Sequence, residues 1–144
     1  MKFSPTERAY IAGFLDGDGS IYVQAKKNDT YRYGYQVAPA IVFFQSAKSE
    51  KLFREFHEFL GLGLMRKRKD GVMEITVGRL AELLQMIEIV KPYTRLKRKQ
   101  LALLGQILRA KQEVKDQKGF AGLLKLIDGY RNLNYSKKRN VLTP

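Results

Sequence analysis

Apolar and polar positions along the chain change period several times, and each change marks an element. Ser4-Pro5-Thr6-Glu7 supplies a helix start: Ser4 as the N-cap, Pro5 at the first helical position and Glu7 three residues after the cap. The helix is expected to run to about Asp16, with Gly17 and Gly19 as the stop. Residues 20–28 then alternate with period 2, setting Ile21, Val23 and Ala25 on one face and Tyr22, Gln24, Lys26 and Asn28 on the other. A polar, tyrosine-rich loop reaches Gly34. A second strand follows over residues 35–45, with Val37, Ile41 and Phe43 on the inward parity. Pro39 has no N–H for a ladder and predicts an edge or a bulge there.

The remainder reads in the same way. Residues 48–60 form an amphipathic helix with Leu52, Phe53, Phe56, Phe59 and Leu60 on its apolar face, ended by Gly61 and Gly63. Residues 64–69 and 72–77 form a hairpin across Asp70-Gly71. A helix over 79–90 is stopped by Pro92, and a long one over 95–114 turns Leu101, Leu104 and Leu108 inward. A last helix over 120–133 carries Leu123, Leu124 and Ile127, and the basic tail 134–144 is expected to order on a ligand. The order is αββαββα plus extra C-terminal helices: an α+β fold with an antiparallel four-stranded sheet backed by helices. With no internal repeat, linker or low-complexity tract, residues 1–144 read as a single domain.

Composition narrows the chemistry. The chain has no cysteine and one histidine, His57, which removes disulfides, thiol catalysis and a His-rich metal site and makes a Ser-His-Asp triad a poor fit. No apolar run is long enough for a membrane span and the first residues lack the apolar core of a signal peptide, so an intracellular, non-secreted protein is expected. The net charge is +13, with twelve basic and eight acidic residues in the first 72 and fifteen and six in the remainder. The excess gathers in Arg66-Lys67-Arg68-Lys69, Arg95-Leu96-Lys97-Arg98-Lys99 and Lys137-Lys138-Arg139. A polyanion partner follows, since neutralising phosphates releases condensed counterions.

The outward strand positions fit such a partner. If odd positions are core, then Tyr22, Gln24, Lys26, Asn28, Gln36, Arg66, Arg68, Glu74 and Thr76 face out, and these are long hydrogen-bonding side chains of the kind that reads base edges. Ala38, Ala40 and Val42 share that parity and suit thymine methyl groups.

The first helix carries a sharper signal. Ala9, Gly13 and Gly17 recur every four residues, leaving one helix face almost bare. Glycine in a helix costs about 1 kcal/mol against alanine, so the stripe calls for close approach of a second helix. No other helix of the chain has a matching stripe, whereas a second copy of the same helix does, which points to a two-fold dimer. Asp16 and Asp18 stand at the helix C-terminus, where acid is unfavourable unless a cation arrives. A divalent ion held by Asp18 and a neighbouring carbonyl resolves the conflict, and oxygen-only ligation suits Mg²⁺, with Mn²⁺ expected to substitute. A calcium-binding EF-hand loop is excluded, because Ile21 and Lys27 occupy the positions that need Gly and Glu.

The stretch Ile11-Ala-Gly-Phe-Leu-Asp-Gly-Asp-Gly19 resembles the motif of the LAGLIDADG homing endonucleases. The element order, residues 91–100 and the tail 134–139 resemble the single-motif, homodimeric branch of that family, so the resemblance spans nearly the whole chain. It implies a metal-dependent, intron-encoded DNA endonuclease acting on double-stranded DNA. Two motif helices would pack at the dimer interface through Ala9, Ala12, Gly13, Asp16 and Gly17. Each Asp18, with the Gly17 carbonyl, would bind metal at the scissile phosphates, while Asp16 serves the helix end. Gln45 would position the water network and Lys97 would sit near the cleaved phosphate. Each saddle-shaped sheet would lie in the major groove of a half-site, joined in the tail by Ser136 and Lys137. The strands would be cut across the minor groove, leaving 3′ overhangs.

One position departs from the pattern: many relatives have an arginine where this chain has Ser49, with Lys48 and Lys51 nearby. Two other functions fit the same scaffold, an intron RNA maturase and a non-catalytic DNA-binding regulator, and neither needs Asp18, Gln45 and Lys97 together. The family occurs in chloroplasts, mitochondria and microbial cells, and no targeting segment chooses among them.

Overall fold

The computed structural model describes residues 2–131 and 133. Their elements are α1 (Pro5–Asp18), β1 (Gly19–Lys27), β2 (Tyr35–Ser46), a 3-10 turn (Ala47–Ser49), α2 (Glu50–Leu60), β3 (Leu64–Lys67), β4 (Val72–Val77), α3 (Leu80–Val90), α4 (Arg98–Glu113) and α5 (Gln117–Arg131). The strands form one sheet in the order β1-β2-β4-β3, with β4 antiparallel to both β2 and β3. This is the expected α+β architecture.

The described residues divide into two compact units, one holding those up to residue 20 with 40–97 and the other 21–39 with those from 98 on. In the first, α1 begins with the capping box foreseen from its sequence. The Glu7 N–H donates to Ser4 Oγ at 3.2 Å and the Ser4 N–H to Glu7 Oε1 at 2.9 Å. Ile11, Ala12 and Leu15 are its buried positions, and the helix packs on α3, where the Arg8 guanidinium donates to the Glu88 and Ile89 carbonyls. Phe14 stacks on Phe56 with ring centroids 4.6 Å apart and meets Phe43 edge-on at 5.4 Å, so strand, helix and motif helix share one aromatic cluster. Each fully buried ring or aliphatic side chain contributes roughly 1.5–3 kcal/mol. In the second unit α4 and α5 pack together, and Leu101, Leu104, Leu108, Leu123, Leu124 and Ile127 are among their buried positions. There the Tyr130 hydroxyl donates to the Ile21 carbonyl and Gln100 Nε2 donates to the Leu133 carbonyl.

Several boundaries differ from the sequence expectation for local reasons. The first helix continues to Asp18, and the stop is Gly19. Gly19 is extended rather than left-handed (φ −109°, ψ 174°) and its N–H donates to the Leu15 carbonyl. A Cβ there would lie 2.6–2.8 Å from atoms of Leu15, so the residue is glycine for closeness of approach. Strand β1 thus starts directly after Asp18, with no loop between. Pro39 is in an interior strand rather than an edge, and the ladder to β4 runs from Ile41 to Ser46, so its missing N–H breaks no bond to β4.

Strand β3 ends at Lys67, because Arg68 to Gly71 form the turn: the Arg68 N–H donates to the Val72 carbonyl, the Gly71 N–H to that of Arg68, and Gly71 has φ +84°. Leu52 is 67% exposed, in contrast to the face expected for it. At 100° per residue it lies roughly 70° off the mean direction of Phe53, Phe56 and Leu60. Helix α4 starts at Arg98, three residues late, and α5 starts early at Gln117, where Asp116 Oδ1 accepts from the Gly119 N–H at 2.7 Å. No described helix is long and apolar enough to cross a membrane.

Candidate active site and nucleic-acid interface

Asp16 and Asp18 are two residues apart on a helix, hence about 200° apart around it. The structure gives them opposite surroundings. Asp16 turns to the segment after α3. Its Oδ1 accepts from Thr94 Oγ1 at 2.6 Å and from the Lys97 N–H at 3.2 Å, and its Oδ2 accepts from the N–H groups of Arg95 at 2.8 Å and Leu96 at 3.2 Å. Burial raises the pKa of this carboxyl, but the four hydrogen bonds together outweigh it and hold the group below its ordinary range. Asp16 therefore fastens residues 94–97.

Lys97 precedes α4, which starts at Arg98, whereas the helix expected over 95–114 would have contained it. Its Nζ donates to the Asp16 carbonyl at 2.8 Å, placing an ammonium at the negative end of α1. With the Leu15 carbonyl taken by Gly19 and the Asp16 carbonyl by Lys97, the next carbonyl along is that of Gly17, beside Asp18.

Asp18 is exposed. It joins Tyr10, Gly13, Phe14, Gly17 and Gln45 around an open hollow of about 420 Å³. Gln45, half-buried in β2, accepts the Ser46 N–H on its Oε1 at 3.0 Å, so its amide NH₂ is what it offers the hollow as a donor. The structure therefore brings Asp18, Gly17 and Gln45 to one hollow and Lys97 to the end of the same helix.

The small-residue stripe stands open beside it. Ala9, Gly13 and Gly17 are exposed, and a Cβ added at either glycine would meet nothing within 4 Å. Ala12, expected at the same face, is fully buried within the chain; it lies about 100° round the helix from Gly13. Tyr10, 61% exposed, stands beside the stripe and was not foreseen; its spacing three residues before Gly13 was the available signal. Thr94 and the backbone N–H groups of Arg95 and Leu96 also escaped sequence reasoning, since no periodicity marks a loop as the partner of Asp16.

Among the described residues no three His, Asp or Glu side chains come together to hold a metal. What the protomer offers is one exposed carboxylate and adjacent backbone oxygens. These are hard oxygen donors of the kind a divalent cation takes.

The outward strand residues divide. Gln24, Lys26 and Gln36 are exposed, and Tyr22, Ala38 and Thr76 half-buried. Arg66 lies opposite Glu74 and pairs with it at 2.9 Å, an exposed contact worth up to about 1 kcal/mol that is easily exchanged for another partner. Arg68 sits in the hairpin turn and pairs with Asp70 at 2.7 Å. Asn28 spends its Oδ1 on the N–H and hydroxyl of Thr30, so it shapes the loop before it reads anything. Ala40 and Val42 are buried, 5% and 1% exposed, which corrects their assignment as contact positions. Short side chains in an interior strand are overtopped by longer neighbours. Ser49 precedes α2 without a side-chain cap bond, and Lys48 and Lys51 beside it are exposed. Ser136 and Lys137 lie outside the described residues.

Comparison with known proteins agrees with this geometry. The family described as LAGLIDADG endonuclease matches residues 11–107. The chain is 34% identical over 134 residues to DNA endonuclease I-CvuI of Chlorella vulgaris, covering 93% of this chain and 83% of that protein. It is 27% identical over 139 residues to DNA endonuclease I-CreI of Chlamydomonas reinhardtii, covering 96% and 85%. The fold superimposes with a TM-score of 0.87 and 33% identity on a crystal structure of I-CvuI in complex with the I-CreI target in the presence of Mg, over 94% of this chain and 86% of that one. A motif helix ending in an exposed aspartate, an antiparallel four-stranded sheet with outward polar residues, and these matches lead to one assignment: the chain belongs to the LAGLIDADG endonuclease family.

Proposed function

We propose that this chain is a site-specific DNA endonuclease. It binds a long pseudo-palindromic duplex as a homodimer and hydrolyses one phosphodiester on each strand across the minor groove, leaving 3′ overhangs. The observation that carries this reading is the pairing of an exposed Asp18 with an open glycine face on the same helix. Two copies meeting through Ala9, Gly13 and Gly17 bring their helix ends together, and with them two Asp18 carboxylates. Related proteins support the substrate: I-CvuI is named a DNA endonuclease and has been seen with its target in the presence of Ca.

The residues divide the work. Asp18 and the Gly17 carbonyl would hold a divalent metal, Mg²⁺ by preference with Mn²⁺ as a substitute. When bound, such an ion stabilises charge on the phosphate and on the leaving oxygen. The Gln45 amide NH₂ orients a water toward the phosphate, with its Oε1 pinned by Ser46. Lys97 adds positive charge at the helix end, where the phosphates and the Asp16 carbonyl both favour it. Outward residues of the sheet read base edges, with the excess of basic residues gripping the backbone.

A cleavage selection from a library of long, roughly palindromic duplexes tests this, run in Mg²⁺ and in parallel in Ca²⁺. Mg²⁺-dependent cuts with 3′ overhangs, lost in Asp18→Asn while DNA binding persists, are the expected result. Specific binding without any cut in Mg²⁺ refutes the nuclease and indicates a regulator. Absence of any DNA preference refutes it in favour of an intron RNA ligand.

A further inference from the structure

The loop between β1 and β2 carries Tyr31, 45% exposed, and Arg32, also exposed, yet neither is placed by any element of its own. Three backbone hydrogen bonds fold the loop: Asn28 N–H to the Gly34 carbonyl, Tyr31 N–H to that of Asn28, and Gly34 N–H to that of Tyr31. Such a turn fixes local shape without fixing where its tip points. That second task falls to aromatic contacts within the second compact unit. The Tyr33 ring stacks on Phe120 of α5 at 5.1 Å and 16° between planes, and Tyr35 meets Phe120 at 6.0 Å. The Arg32 guanidinium carbon lies 5.2 Å from the centre of the Tyr33 ring. Lys111 of α4 donates its Nζ to the Val37 carbonyl at 3.0 Å, tying down the start of β2.

Resting on the endonuclease reading, we infer that Phe120 is a positioning residue for DNA recognition. Through Tyr33 it sets the direction in which Tyr31 and Arg32 are presented to the duplex. Both side chains are exposed, like Gln24 and Lys26, and their loop leaves β1 at the end opposite to the one that Asp18 precedes. They serve the base pairs farthest from the cut. A tyrosine and an arginine suit that work: an aromatic hydroxyl and a guanidinium both reach phosphate and base edges, and a preset tip loses less conformational freedom on binding. The Tyr33 hydroxyl is buried with no hydrogen-bond partner among the described residues, so the ring, and not the hydroxyl, carries the contact.

The test is a binding selection from a randomised duplex library in Ca²⁺, with base preference read at each position. The proteins are the wild-type chain, Phe120→Leu, Tyr33→Ala and Tyr33→Phe, each checked for its thermal transition. Phe120→Leu and Tyr33→Ala are expected to lose about ten-fold of base discrimination at the outermost pairs of each half-site while keeping preferences near the centre. Tyr33→Phe retains the wild-type profile. If Phe120→Leu does not fold, Tyr33→Ala, at a half-buried loop position, decides the matter alone. Outer preferences that survive in the folded variants, or that fall equally at every position, overturn the inference while leaving the endonuclease standing. A wild-type chain with no base preference at all overturns both.

Discussion

Replacing Asp16 by alanine isolates the contribution of a carboxylate that does no chemistry. It removes the acceptor of four hydrogen bonds, and the loss is uneven. Thr94 is 0% exposed, so its hydroxyl is left buried without its acceptor, at about 1–3 kcal/mol. The N–H groups of Arg95, Leu96 and Lys97 lie nearer the surface and regain water, adding about 1 kcal/mol in total. The sum is about 2–4 kcal/mol, or roughly 6–12 °C in the melting temperature of a chain of this size. The sign of the pH dependence follows from the depressed pKa. A carboxyl whose folded-state value lies below 3.8 adds stability that is fully present above that pH and is lost as pH falls through the folded value. The gap between wild type and Asp16→Ala is therefore widest at neutral pH and closes in acid below about 3.8. Circular dichroism melts at fixed protein concentration from pH 7 to pH 2.5 measure it. A gap under about 0.5 kcal/mol, or one that stays constant to pH 2.5, refutes the assignment of Asp16 as the fastener of residues 94–97.

Three further outcomes are expected. Gly13→Leu sets a side chain where the protomer itself has open space, so folding is retained and dimerisation lost; sedimentation showing an intact dimer contradicts the helix interface. Gly19→Ala drives a methyl into Leu15 and costs about 1–3 kcal/mol, with cleavage falling further than stability accounts for because Asp18 is the adjacent residue. DNA affinity falls steeply and linearly on a log–log plot against salt; a slope near zero means that the basic clusters do not touch phosphates.

The sequence carried the framework well where local rules govern. The Ser4 capping box, the period-2 strand after Gly19 and the αββαββα order all follow from short-range chemistry, and all are present. Failures fall where the answer depends on distant chain. Alternation in β2 placed Ala40 and Val42 outward, but an interior strand buries short side chains on either face. The late start of α4 was invisible because the carboxylate that takes the preceding N–H groups lies about 80 residues earlier. The loop aromatics are a similar case: Tyr33 is one of several tyrosines until Phe120 of α5 is beside it.

The two aspartates of the motif show how such distant contacts convert a sequence signal into a site. In the sequence they form a single electrostatic conflict, two acids at the negative end of one helix. In the fold half of that conflict is removed within the protomer: Asp16 is compensated by three backbone N–H groups and a hydroxyl, and its carbonyl by the Lys97 ammonium. The other half remains, since Asp18 is exposed and the glycine face beside it is open. A helix end stabilised for its own sake would use the same compensation for both acids, or have no second acid. On the proposed function, confining the uncompensated charge to the one carboxylate that faces outward would concentrate the demand for a cation at one point, beside the open glycine face. The stability of the helix end and the proposed metal site would then be carried by different residues of a single motif. Substitution at Asp16 is therefore expected to register first in melting, and substitution at Asp18 first in cleavage.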